Sequence, residues 1–192
     1  MRYKPEHKEE THKRIVETAA REFRERGFDG IGIAALMKKL ELTHGGFYAH
    51  FENKDDLVRE ALSSSFDDVD DHIEEVFEKL GLSGVIDLYL SPEHIANPGL
   101  GCPVPALASE IGRQPGDLAS LFTARLNRRI EFFAAKVPGE TAAERLELAK
   151  FIFCSMAGAV AIARAMDDPE QRESILLSTK NQLQKLINFV PR

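Results

Sequence analysis

The sequence predicts an all-α fold of about nine helices, and three observations predict it. Apolar residues recur every three or four positions along most of the chain. No Asn-Gly or Asp-Gly pair joins two alternating apolar runs, so hairpins have no turn to start from. Glycine and proline fall between the periodic stretches, where helices stop and start. No fixed-period repeat and no low-complexity segment interrupts the pattern.

The first helix is expected from about Glu9 to Arg26, with Ile15, Ala19 and Phe23 four apart and Val16 and Ala20 beside them. Gly27 ends it as a C-terminal glycine, Phe28 turns back to the core, and Asp29-Gly30 turns the chain. A short second helix spans about Ile33 to Leu40, and a third about Thr43 to His50, which Thr43 can cap. The fourth opens at Lys54-Asp55-Asp56, with acids where the helix dipole prefers them. Leu62, Phe66, Val69, Ile73, Val76, Phe77 and Leu80 carry it on to Gly81, which stops it.

Val85 to Leu90 could be a strand by composition; in a helical chain it is expected as a short helix. Ser91-Pro92-Glu93 starts another turn of helix. Asn97-Pro98-Gly99 and Gly101-Cys102-Pro103 form an irregular link to a short helix from about Val104 to Gly112. Helices of about Pro115 to Lys136, Thr141 to Met166 and Pro169 to Phe189 finish the chain. Thr141-Ala-Ala-Glu144 reads as a capping box.

Composition bounds the function. With 43% hydrophobic and 29% charged residues, the 192-residue chain is a soluble globular type with enough length for its own core. Its longest apolar run, Phe151 to Ala163, is shorter than a bilayer span and is bracketed by Lys150 and Arg164, so no membrane partner is expected. The N-terminus has no apolar signal core, and two cysteines 52 positions apart make neither a disulfide scaffold nor a zinc spacing. A reducing, cytoplasmic setting follows as an expectation. The net charge of −6 is unevenly spread: residues 1–60 hold 12 cations and 12 anions, so the acidic excess lies entirely in residues 61–192. Any contact with a polyanion must therefore be local.

Two short helices joined by a tight turn and buttressed by an amphipathic first helix make a helix-turn-helix. In the stretch from Thr43 to Phe51, Phe47 and Phe51 lie four apart and face inward, which leaves Tyr48 and His50 outward with donors. Gly45 and Gly46 are poor helix formers that make sense where one backbone must approach another closely. Arg14-Ile15, Ala19-Ala20, Phe23, Arg26-Gly27-Phe28, the run Gly46-Phe47-Tyr48-Ala49-His50-Phe51 and Lys54-Asp55-Asp56-Leu57 together carry a resemblance. From Thr11 to Ala61 the chain resembles the N-terminal domain of TetR-family transcriptional regulators.

The resemblance implies roles by position. Thr43, Tyr48, His50 and Lys54 would hold phosphates, His44 and Gly45 would lie nearest base edges, and Gly46 would let the backbone come close. Lys54, at a helix start, would add its cation to the dipole, and tyrosine and histidine donors suit phosphate oxygens. Two departures stand out. Gly32 occupies the second-helix cap, with Ala34 and Ala35 in place of the usual polar residues, and Glu41 stands where the turn usually carries glycine. The second helix thereby lacks those polar side chains for contacts, and Glu41 would adopt a positive φ only at a cost.

The resemblance also implies a division of labour: residues 1–53 bind operator DNA, and residues 54–192 dimerise and hold a small-molecule effector. Phe66, Phe77, Tyr89, Cys102, Phe122, Phe132 and Phe153 are candidate pocket residues, although core packing explains most of them equally well. Ala157, Gly158, Ala161 and Ala165, facing Leu176, Thr179, Leu183, Leu186 and Val190, are the candidate homodimer surface.

Other patterns carry less. Asp68, His72 and Glu75 share a helical face, but no second cluster completes a metal ligand set, so no metal or cofactor is expected. His7 and His12 read as part of a frayed arm. Gly-rich phosphate loops, nucleophile elbows and isolated carboxylate pairs are all missing, so catalysis is not expected. Cys102, just before a short helix, leaves open a thiol-based redox or electrophile sensor in the same scaffold, although no Lys or Arg lies within ten residues of it. Cys154 reads as inert inside the apolar run. A helical interaction module without DNA binding is the remaining alternative.

Overall fold

Gly27 and Gly81 decide where the first two long helices end. In the computed structural model, which describes residues 5–114 and 116–188, α1 runs Pro5–Arg26 and Gly27 follows at φ +77°. α2 is Ile33–Lys39, and a 3-10 turn covers His44–Ala49. α3 is Lys54–Tyr89, broken at Gly81 (φ 66°, ψ −169°), so residues 82–89 form the short helix expected there. α4 is Pro92–Ala96, and a second 3-10 turn is Pro98–Leu100. α5 is Pro103–Ile111, α6 Leu118–Ala134, α7 Ala142–Ala165 and α8 Pro169–Ile187. No strand occurs among the described residues. Pro115, Phe189 and Val190, expected at helix ends or on the last apolar stripe, lie outside them.

The chain forms two compact units: residues 1–68 with 98–122, and residues 69–97 with 123–192. In the first unit α1 buries Ile15, Ala19 and Phe23, while Phe47, Phe51, Leu57, Leu62 and Phe66 are buried from the following elements. The turn at Pro98–Leu100 and helix α5 pack on α1. Polar ties also join the elements of this unit. Arg24 Nε donates to the Gly99 carbonyl at 2.9 Å, the Phe28 N–H donates to Glu110 at 2.8 Å, and Arg59 pairs with Asp117 at 2.5 Å. Buried Glu22 is held by Lys39 of α2 and by Arg26 one turn along α1. A buried carboxylate is tolerated where cations compensate it, and here they set α2 against α1.

In the second unit α7 and α8 pack side by side. Ile152, Phe153, Met156, Val160 and Ala163 of α7 and Leu176 and Leu183 of α8 are buried. The capping box at Thr141 and Glu144 is formed, and Asp168 caps α8 ahead of Pro169. Arg129 of α6, almost wholly buried, meets Asp70 of α3 at 2.6 Å and lies 6.0 Å from the Phe153 ring centre. Taken whole, α7 is long and apolar enough to cross a bilayer, which the shorter run Phe151 to Ala163 is not. Its buried face is that of a core helix.

Candidate nucleic-acid interface

The segment His44–Ala49 is wound more tightly than the α-helix expected from Thr43 to His50. Gly46 N–H bonds to the Thr43 carbonyl at 3.0 Å and His50 N–H to Phe47 at 2.9 Å, the three-residue closure of a 3-10 helix. Two adjacent glycines in six residues give little propensity to extend the wider helix. Thr43 does cap it: its hydroxyl oxygen accepts from Gly46 N–H at 3.2 Å.

Anchoring comes from the two phenylalanines. Phe47 and Phe51 are buried and stacked, 5.3 Å between centroids. Between them Tyr48 and Ala49 turn outward, whereas His50, expected to face outward, does so only in part. Tyr48 is 57% exposed, edge-on to His44 at 5.8 Å, and His44 is itself exposed. A Cβ on Gly45 would meet nothing within 4 Å, so that backbone is open, whereas one on Gly46 would press on Thr43 at 3.3 Å. Lys54 opens α3 with Nζ 3.9 Å from Asp29, a loose pair on an exposed partner. Asn53 caps this helix by accepting from Asp56 N–H at 3.0 Å.

His50 is half-buried, with Nδ1 enclosed and unbonded. Burial, and after it the nearby His12 and Lys8, hold its pKa below the ordinary imidazole value. His12 is not in a frayed arm. α1 begins at Pro5, Thr11 binds back to the His7 carbonyl at 2.8 Å, and the His12 ring stacks on Phe51 at 4.6 Å. Sequence reading missed it because its partners, Phe51 and Glu60, lie 39 and 48 positions away.

The turn between the two short helices closes as a Schellman motif. Glu41 N–H bonds to Lys38 at 3.0 Å and Leu42 N–H to Met37 at 2.9 Å, with Glu41 at φ +60°. Gly32 caps α2 without a side-chain hydrogen bond.

Residues 15–61 match the family model described as bacterial regulatory proteins, tetR family. The N-terminal domain is a TetR-family domain. The TetR-like fold extends over nearly the whole chain. A TetR-family regulator from Cytophaga hutchinsonii superposes with a TM-score of 0.79 at 17% identity, covering 98% of this chain and 100% of that one. A TetR regulator from Chloroflexus aurantiacus J-10-FL gives 0.79 at 21% identity, covering 96% and 100%. NemR of E. coli, in its reduced form, gives 0.75 at 18% identity, covering 95% and 100%. No curated protein matches the chain in sequence.

In this TetR-like fold the candidate pocket residues divide between the units. Phe66 and Phe122 meet edge to face at 5.9 Å in the first, where Cys102 is also buried. In the second, Tyr89 meets Phe153 at 6.2 Å and Phe77 meets Phe132 at 5.9 Å. Cys102, the N-cap of α5, is 1% exposed. Arg24 of α1, distant in sequence, interacts electrostatically with it. Cys154 is exposed on α7 and not enclosed in the core.

Of the candidate dimer residues, Ala157, Leu176 and Leu183 are buried within the chain, Gly158 and Ala161 are half-buried, and Ala165 and Leu186 are exposed. Phe151, Ile162 and Leu177, which sequence reading passed over, are 58%, 55% and 53% exposed.

Proposed function

We propose that this TetR-family protein is a ligand-responsive repressor that binds an inverted-repeat operator as a homodimer and leaves it when a small molecule binds. One observation carries the DNA reading: an outward-facing turn with an open glycine backbone and exposed Thr43, His44 and Tyr48, anchored by buried Phe47 and Phe51. Such a turn is slim enough to enter a major groove, with donors at its start. Thr43, Tyr48, His50 and Lys54 hold phosphates, His44 and Gly45 face base edges, and Gly46 keeps the turn close to the groove. The protein works in the cytoplasm, with its DNA.

Two copies meet through the outer faces of α7 and α8. Phe151, Gly158, Ile162 and Ala165 fall within about 60° of one another around α7 at 100° per residue, and Leu177 adds apolar surface from α8. The effector meets aromatic residues such as Tyr89 and Phe153. Its binding shifts α3 and with it the spacing of the two DNA-facing turns, through its differential affinity for the two arrangements. Burial of Cys102 favours a non-covalent ligand over thiol chemistry.

A mobility-shift assay against genomic fragments tests the DNA reading. Lys54→Ala and Tyr48→Phe should weaken binding to every sequence without changing their ranking, because phosphate contacts position and do not specify. The lysine variant should flatten the dependence of log affinity on log salt by about one unit. Unchanged binding in both variants would remove the assignment.

A further inference from the structure

His12 lies beside this interface and has no part in the reading above, yet its ring is held on three sides. Its Nε2 donates to Oε2 of Glu60 at 2.7 Å, since an ionised carboxylate can only accept. Its face stacks on Phe51, with 4.6 Å between centroids and 22° between planes. It also lies 5.7 Å from the His50 ring, tilted by 45°.

Among the described residues, the charged and titratable groups acting on His50 are Lys8 and His12 from α1, and Glu60 of α3 acts through His12. The groove beside His12 adds Glu9, Glu10, Lys13, Glu17, Asp67 and Asp68. A neutral imidazole carries one hydrogen. With Nδ1 of His50 enclosed and unbonded, a lone pair costs less there than an orphaned N–H, so the hydrogen belongs on Nε2. A charged ring would place a second N–H in that enclosed position, beside a second imidazole and a lysine. Burial and these neighbours therefore disfavour the charged form of His50 in the free protein, and a phosphate brought against the ring favours it.

We propose that His12 is a positioning residue of the DNA interface, and that His12 and His50 form a two-imidazole switch that strengthens DNA binding as the pH falls. The proposal rests on the reading that His50 meets a backbone phosphate. Binding brings an anion to the His50 ring, and the ring takes one proton from solution. Affinity then rises by up to about tenfold per unit of acidification, through the range where free His50 is neutral and bound His50 is charged. His12 sets where the ring stands and adds to what holds the charged form of His50 down.

The test uses the full chain and a fluorescein-labelled duplex that the protein itself selects from random-sequence DNA. Anisotropy is followed from about pH 6 to about pH 8 at fixed ionic strength. Wild-type affinity should rise several-fold on acidification, and His50→Gln should flatten the profile. His12→Gln, which can still bond to Glu60, should lower affinity and move the midpoint to higher pH. A purely structural role would lower affinity and leave the midpoint in place. If His50→Gln abolishes binding, the Cε1 proton of wild-type His50, titrated by NMR with and without duplex, decides the matter: its midpoint should rise with DNA. A pH-independent wild-type affinity, an unmoved midpoint in His12→Gln, or a His50 titration indifferent to DNA overturns the switch. Failure to bind any duplex at any pH overturns the DNA reading as well.

Discussion

His94 shows how one buried ring ties stability to pH. Its Nδ1 donates to the Tyr89 carbonyl at 2.6 Å, and the ring lies edge-on to Tyr89 at 4.7 Å. Burial lowers its pKa to about 4; the Tyr89 carbonyl pulls the other way and Arg164 adds to the fall. The unfolded chain binds this proton near pH 6.5 and the folded chain only near 4. Stability present above pH 6.5 is therefore lost as the pH falls towards 4, by up to about 3 kcal/mol. His94→Asn keeps a donor for the carbonyl and removes the titration. Its melting temperature should fall less than that of wild type between about pH 7 and pH 5. Parallel losses in the two proteins would exclude His94 as the source.

At the scale of the element, the helix-turn-helix is built by its terminations. Gly27 closes α1 at φ +77°, and the same left-handed geometry recurs at Glu41, where a Cβ crowds the following carbonyl. The Schellman bonds of Glu41 and Leu42 hold that conformation in place. Glu41 is exposed, so its side chain contributes little packing in return. Glu41→Gly should stabilise the protein by about 1 kcal/mol, after allowing for the freer unfolded chain. Urea unfolding measures it, and a loss of stability would mean that the glutamate makes a compensating contact. The Glu41 cost was visible in the sequence, because a turn position reads from its neighbours. The 3-10 winding of His44–Ala49 was not, because propensity gives helix or no helix and leaves the tightness of a short turn to the packing of Phe47 and Phe51.

At the scale of the whole molecule, the proposed repressor acts as two copies. Large apolar side chains on one stripe of α7 cost little only if a partner covers them. Ile162→Glu should place a charge in that surface, yield monomers by light scattering and weaken operator binding. A dimer that survives the change would move the interface elsewhere. Two copies should present their DNA-facing turns about one helical turn of DNA apart, roughly 34–36 Å, so footprinting of the wild type should reveal an inverted repeat.

The sequence by itself determined the all-α class, the order of the helices and most of their ends, because three/four periodicity, caps and glycine stops are local signals. The string from Gly46 to Phe51 and Lys54 likewise carried the family and the candidate DNA residues without any coordinates. Only the tertiary structure decided which side chains meet. It brought His12 to Phe51, His50 and Glu60, set Arg24 beside Cys102, and tied Glu110 to the Phe28 N–H across 82 positions. It also turned Leu176 and Leu183 inward and left Phe151, Ile162 and Leu177 outside. Periodicity marks an apolar stripe but not what covers it, because that depends on where distant segments of the chain pack.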